Sequence, residues 1–309
     1  MNKLYGEKIM THEARKVDPF HFRCIHRHSG ATHPGCYLKY VTGSAKNIVR
    51  LPKVLIFDIE TSPLKAYIFA TRLWNTNVNE EQVLSEWFAL CWSAKWLFSD
   101  EIISDRLTGK EARREDDSRI VKSLWKLLNE ADIVIAHNGD KFDVPNMNTR
   151  FIVNGLPPTA PYQTIDTCSV AKRQFGFSHN NLNALARVFG FKVKIETNFE
   201  LWKKCVDGDE KALLNMEKYN RRDVEMLEEV YMKIRPWIHS HPNLGLYTES
   251  TEPICSNCGS KSITKTDKFY YTMVGKYELF KCECGAYIRV RMTSLSKEKG
   301  RSLLVSIAK

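Results

Sequence analysis

The sequence predicts an α/β protein flanked by a small cysteine-bearing β module and a basic, histidine-rich segment. Three observations carry that expectation. Between residues 53 and 239, short aliphatic runs alternate with stretches of helical periodicity, the pattern of strands interleaved with helices. Four cysteines fall in two close pairs, Cys255/Cys258 and Cys282/Cys284. Residues 1–50 show no clear periodicity, and five of the nine histidines lie between His12 and His33.

The elements read as follows. Val54-Leu55-Ile56-Phe57 is a buried strand, and Trp87 to Leu97 has the aromatic and aliphatic content of paired strands. Asp116-Asp117-Ser118 offers N-caps for a helix running to about Asn129, with Ile120, Val121, Leu124, Trp125 and Leu128 on one face. Ile133–Ala136 is a short strand. A helix follows Asp143 and ends at Gly155 and Pro157-Pro158. Ile165-Asp166-Thr167 reads as a strand end, and helices are expected around Asn181–Phe189 and Lys211–Ile234. Pro236 and His241–Gly245 break the last helix and mark a linker. The expected domains are residues 1–52, 53–239 and 250–292, with residues 293–309 as a tail.

Composition excludes several classes. With 27% charged and 43% hydrophobic residues in 309, the chain is neither collagen-like, coiled-coil nor wholly disordered. No apolar run approaches the ~18–20 residues of a membrane span, and the N-terminus lacks a signal-type apolar stretch. A cytoplasmic protein of a bacterium or phage-infected cell is expected, with no membrane partner. The net charge of +10 is uneven: residues 1–52 carry +6, residues 53–239 carry −1 and residues 240–309 carry +5. Two basic ends on a near-neutral body favour a polyanionic partner, most simply nucleic acid. Cys91, Cys168 and Cys205 are isolated and read as packed thiols.

The middle segment carries the chemistry. Val54, Ile56, Asp58 and Glu60 share one face of a strand, so both acids meet at its exit. Asp143 follows the Ile133–Ala136 strand, where a helix cap is the competing role. In the last long helix, Met216, Tyr219, Asp223, Leu227, Val230 and Ile234 recur every three or four residues. Asp223 therefore lies in the apolar stripe, one turn after Tyr219. A buried aspartate needs a partner, and four acids in one α/β unit suit hard divalent cations such as Mg²⁺.

Asp58-x-Glu60, Asn138-x-x-x-Phe142-Asp143 and Tyr219-x-x-x-Asp223 resemble, in order and approximate spacing, the three motifs of the DnaQ-like DEDD exonucleases. Lys218 stands where the histidine branch has its histidine, and Tyr219 holds the tyrosine position, so the resemblance is to the DEDDy branch. Residues 53–239 look like predicted exonucleases of bacteriophages and bacteria. The resemblance implies an RNase H-like three-layer fold around a central mixed sheet, and 3′→5′ cleavage with two Mg²⁺ or Mn²⁺ ions. It implies that Asp58 bridges both ions, that Glu60 and Asp223 complete the first, and that Asp143 holds the second. Tyr219 with Glu60 would position the attacking water. Asn138 and Phe142 would shape the site, with Thr61 touching the terminal nucleotide. His137 and Asp166 read as structural.

Cys255-x-x-Cys258-Gly and Cys282-x-Cys284-Gly give the four thiolates of a structural Zn²⁺ site and resemble a zinc ribbon. Lys281, Arg289 and Arg291 beside it are candidates for phosphate contact. Cys24, His26 (or His28), His33 and Cys36 form a candidate second Zn²⁺ site; a basic arm touching DNA or a partner is the other reading.

The expected function is thus a two-metal-ion 3′→5′ exonuclease releasing nucleoside 5′-monophosphates, acting on single-stranded DNA or DNA 3′ ends in replication or repair, with a DNA polymerase or repair factor as a candidate partner. The alternatives are an exoribonuclease or structure-specific endonuclease on the same fold, and a zinc-ribbon accessory that recruits a replication factor.

Overall fold

The computed structural model describes residues 52–69, 77–193, 197–248 and 251–307. The second zinc set, Cys24, His26, His33 and Cys36, and the rest of the basic segment lie outside the described residues. The described chain forms two compact units, Lys53–Lys233 and the residues from Ile234 onward.

The first unit is built on a five-stranded mixed sheet. Its strands are β1 (Val54–Thr61), β4 (Ala89–Trp96), β5 (Ile103–Arg106), β6 (Ile133–Ala136) and β7 (Gln163–Asp166), in the order β5-β4-β1-β6-β7. β1 runs antiparallel to β4 and parallel to β6. A central strand covered on both sides reads as an unbroken apolar run, which is why Val54-Leu55-Ile56-Phe57 shows no alternation. Leu55, Phe57 and Ile59 join a core with Ile120, Val121, Leu124 and Leu128, while Val54 and Ile56, on the other face, are buried as well. The Trp87–Leu97 stretch makes one strand, β4, and not a pair. It is an inner strand, paired with β1 on one edge and β5 on the other, and Ala89, Leu90, Cys91, Trp92 and Ala94 pack into the same core as the helix residues Ile120, Val121 and Leu124. Two short strands, β2 (Lys65–Ala66) and β3 (Val83–Ser85), form a separate ladder.

The helices are α1 (Gly109–Arg114), α2 (Ser118–Glu130), α3 (Asp143–Val153), α4 (Thr167–Gln174), α5 (Leu182–Phe189), α6 (Phe199–Val206) and α7 (Glu210–Ile234). The four aliphatic residues expected on the inner face of α2 are buried, but Asp117 does not cap it. Its carboxylate, 1% exposed, accepts from Arg150 Nε and Nη2 at 2.7 Å each and from the Ala89 amide at 2.9 Å. It thereby ties α2 to α3 and β4. Along α7 the expected stripe is buried from Met216 through Ile234, Asp223 included.

The second unit holds an antiparallel sheet of β8 (Ile263–Tyr271), β9 (Lys276–Cys282) and β10 (Tyr287–Arg289), in the order β10-β9-β8. Gly259 and Gly285, each following a cysteine pair, have φ of +73° and +92°, the left-handed turn a knuckle requires. The stretch expected as a linker is folded: Arg235–Trp237 and Leu244–Tyr247 are 3₁₀ turns, and the Asn257 amide donates to the carbonyls of Arg235 and Ile238. The expected tail carries a short helix, α8 (Lys297–Arg301). Among the described residues, no helix is long and apolar enough to cross a membrane.

Candidate active site

The acids gather where the sheet opens. β1 pairs with β6 only from Val54 to Ile56; β6 ends at Ala136, while β1 runs on to Thr61 along β4 alone. Ligands of open α/β sheets bind outside such strand ends. Beyond Ile56, the Ile59 amide donates to Asp143 Oδ1 at 3.2 Å, so a side chain from the start of α3 serves the backbone past the last β6 pairing. Asp58 and Glu60 flank that amide.

α7 crosses the same region. Carboxylate oxygens of Asp58, Glu60 and Asp223 lie within 4.8 Å of one another. Asn220, fully buried on α7, donates from Nδ2 to Asp58 Oδ2 at 2.7 Å. Tyr219 sits one turn before Asp223, its ring edge-on to Trp202 with centroids 6.2 Å apart. Three converging carboxylates are the donor set of a hard divalent cation, and their mutual repulsion is what such a cation relieves.

Asp143 lies outside this close group. It is 2% exposed, and burial pushes its carboxyl up to about 7. The Ile59 amide opposes that rise, and the charge of Asp166 adds to it. Beneath the acids, burial together with the charges of Glu60 and Asp58 raises the Cys91 thiol well above its ordinary range. Cys91, Cys168 and Cys205 are all buried, as packed thiols.

The neighbouring residues have defined places. Asn138 turns the chain out of β6 with φ of +65°, a conformation asparagine tolerates, and its amide donates to Asp166 Oδ1 at 2.8 Å. Asp166 also caps α4 through the amides of Cys168 and Ser169. Both ring nitrogens of His137 are engaged, with Thr167 Oγ1 at 2.8 Å and the Asn180 carbonyl at 2.9 Å, which is the structural role expected of it. Phe142 precedes α3 and is exposed, and Thr61 follows an irregularity in the β1–β4 register at Glu60/Thr61. Asn220 is the residue the motifs did not reveal. The available signal was its place four residues after Met216, at the margin of the buried stripe.

In the second unit, the Sγ atoms of Cys255, Cys258, Cys282 and Cys284 lie within 4.8 Å of one another. Cys255–Cys284 and Cys258–Cys282 are 3.8 and 3.5 Å apart. A tetrahedron with Zn–S bonds of ~2.3 Å has edges of about 3.8 Å, so the four sulfurs fit zinc. Hydrogen bonds from Cys255 and Cys258 pull the Cys284 thiol down, while burial pushes Cys282 up to about 12. Lys281 and Arg289 lie on β9 and β10, and Arg291 follows β10 in an exposed stretch.

Residues 55–235 match the family model of the RNase H superfamily. The chain belongs to the RNase H superfamily. Nucleases of this superfamily use divalent metals, and the Asp58/Glu60/Asp223 group is chemically suited to them. No curated protein matches the chain. Among solved structures, a family B DNA polymerase from the hyperthermophilic archaeon Pyrobaculum calidifontis is similar at 17% identity and a TM-score of 0.44, over 60% of this chain and 25% of that one. The chain thus matches about a quarter of that polymerase's length.

Proposed function

We propose that the protein is a metal-dependent 3′→5′ exonuclease of the DEDDy type, acting on DNA ends. The observation that carries this reading is the convergence of Asp58, Glu60 and Asp223, from two separate elements, with Tyr219 one turn from Asp223. Asp58, Glu60 and Asp223 would hold one divalent ion, with Asp58 and Asp143 serving a second. Bound, the pair supplies Lewis-acid stabilisation of the attacking and leaving oxygens of a phosphodiester.

The chain's own groups do the rest. Asn220 donates to one oxygen of Asp58, which fixes the rotation of the carboxylate. The Tyr219 phenol and the Glu60 carboxylate orient the attacking water. Water oxygen forms a bond to the terminal phosphodiester phosphorus as the P–O3′ bond breaks. The water's proton passes to solvent and the departing O3′ takes one from solvent. The products are a nucleoside 5′-monophosphate and a strand one nucleotide shorter with a free 3′-hydroxyl.

The test uses 5′-labelled single-stranded DNA with Mg²⁺ or Mn²⁺, beside a 3′-blocked strand and the matching RNA. A ladder shortening from the free 3′ end, absent with the blocked strand, is expected. Cleavage of RNA alone, internal cleavage of the blocked strand, or no cleavage with either metal would overturn the reading.

A further inference from the structure

Pairing register sorts the side chains of the small sheet onto two faces. In an antiparallel ladder, residues directly opposite one another share a face and successive residues alternate. Tyr270 pairs with Tyr277, Lys281 with Tyr287, and Leu279 with Arg289. Along β9, Tyr277, Leu279 and Lys281 alternate away from Cys282, so these six residues lie on the face opposite the cysteine cluster. The cysteine-side face carries Cys282 and Ile263, and Glu278 there pairs with Lys265 at 2.6 Å.

The face turned away from the cysteines has three tyrosines, one lysine, one arginine and one leucine, and no carboxylate among its registered pairs. Its rings are open: Tyr270 and Tyr287 are 48% and 61% exposed. Its cations lie on those rings. The Arg289 guanidinium carbon is 4.1 Å from the Tyr277 centroid and 5.5 Å from that of Tyr270, and Lys281 Nζ is 5.7 Å from that of Tyr287. Gly275 makes room for this: a Cβ there would meet the Tyr277 ring at about 2.5 Å, so the ring lies against the backbone under Arg289. Tyrosine rings and cations therefore stand side by side on one face of the sheet, in the stretch of residues 240–309 that carries net +5.

We propose that this face binds single-stranded nucleic acid, with base faces on Tyr270 and Tyr287 and phosphates at Arg289 and Lys281. Open aromatic rings with interleaved cations suit unstacked bases on a polyanionic backbone. A duplex hides its base faces and would use only the two cations. An apolar protein partner would leave Lys281 and Arg289 without counter-charge. The proposal goes beyond the nuclease reading and does not rest on it, because binding is measured with cleavage disabled.

The experiment follows fluorescence anisotropy of a labelled 12-mer oligothymidylate against the full-length, zinc-replete chain carrying Asp58→Asn. In that background, Tyr270→Ala with Tyr287→Ala is expected to weaken binding about ten-fold or more. Arg289→Ala is expected to weaken it and flatten its salt dependence. Tyr271→Ala, at an equally exposed ring on the neighbouring position of β8 but on the cysteine-side face, is expected to bind like the parent. Zinc content verifies that each variant is folded; if the double variant loses zinc, Arg289→Ala alone decides. Unchanged affinity in the tyrosine and arginine variants, an equal loss in Tyr271→Ala, or a duplex competing as well as the single strand would overturn the proposal. Failure of the nuclease reading would appear separately, as absent cleavage by the chain with Asp58 intact.

Discussion

Asn220 Nδ2 lies 2.7 Å from Asp58 Oδ2, joining the middle of α7 to the exit of the central strand β1. The two residues are 162 positions apart, and the bond is partly buried. It sets the orientation of the carboxylate that the account makes central to cation binding. Removing it acts on the metal site without removing any acid.

Asn220→Ala should therefore lower cleavage about ten- to hundred-fold, the range seen when partners of metal ligands are lost. The distinguishing readout is the Mg²⁺ concentration for half-maximal activity, which should rise, while the KM for DNA stays near the parent value. A purely structural role would reduce the amount of folded enzyme and leave the Mg²⁺ midpoint alone.

Asp143 gives the pH dependence. Its folded-state carboxyl is raised to about 7 by burial, against an ordinary 3.8. The folded chain without added cation thus holds a proton that the unfolded chain releases, so the stability from this group is full at low pH and is lost as pH rises from about 4 to about 7. In the proposed role of Asp143 as a cation ligand, cation binding would expel that proton, so apparent Mg²⁺ affinity should rise with pH up to about 7 and then level. Isothermal titration at pH 5.5, 6.5 and 7.5 measures this, and Asp143→Asn should flatten the trend.

Asp117 is a stability prediction separate from catalysis. Its side chain is fully buried and paired with Arg150. Asp117→Ala strands the guanidinium and removes the acceptor of the Ala89 amide, and should cost about 3–5 kcal/mol in urea unfolding. Replacing the exposed partner in Lys203–Glu200 should cost well under about 1 kcal/mol.

Cys258→Ser should lower bound zinc by one atom per chain in metal analysis. It should also open residues 251–292 to protease, because folding of so small a module is coupled to its metal. Cleavage of a small phosphodiester such as the p-nitrophenyl ester of thymidine 5′-phosphate should persist, since no cysteine of this cluster belongs to the acid group.

What could be read in advance was local. Val54–Phe57 announces a central strand because both faces are buried, and Asp58 and Glu60 follow in period two. The α7 stripe shows Asp223 among apolar neighbours at helical spacing. Two further helices carry local signals: Thr108-x-x-Glu111 is a capping box for α1, and Asp166 precedes α4 as its cap. Other features depend on distant partners. Asp117 has the composition of an N-cap, yet Arg150, 33 positions away, captures it. Pro236 and His241–Gly245 have linker composition, yet partners further along the chain fold this stretch: Asn257 donates to the Arg235 and Ile238 carbonyls, and the Leu244 amide donates to the Ser256 carbonyl. The same holds for Asn220, whose role exists only once α7 lies over β1.

The most direct test of the central claim is Mg²⁺-dependent cleavage of a 3′-end substrate by the parent chain and by Asp58→Asn, each at matched zinc content. The isosteric change, which removes one charge from the carboxylate proposed to bridge two cations, should lower the rate at least a thousand-fold, or about 4 kcal/mol in the barrier, and weaken Mg²⁺ binding in parallel. A variant that cleaves at the parent rate, or a parent that cleaves equally well in the presence of chelator, would contradict that claim.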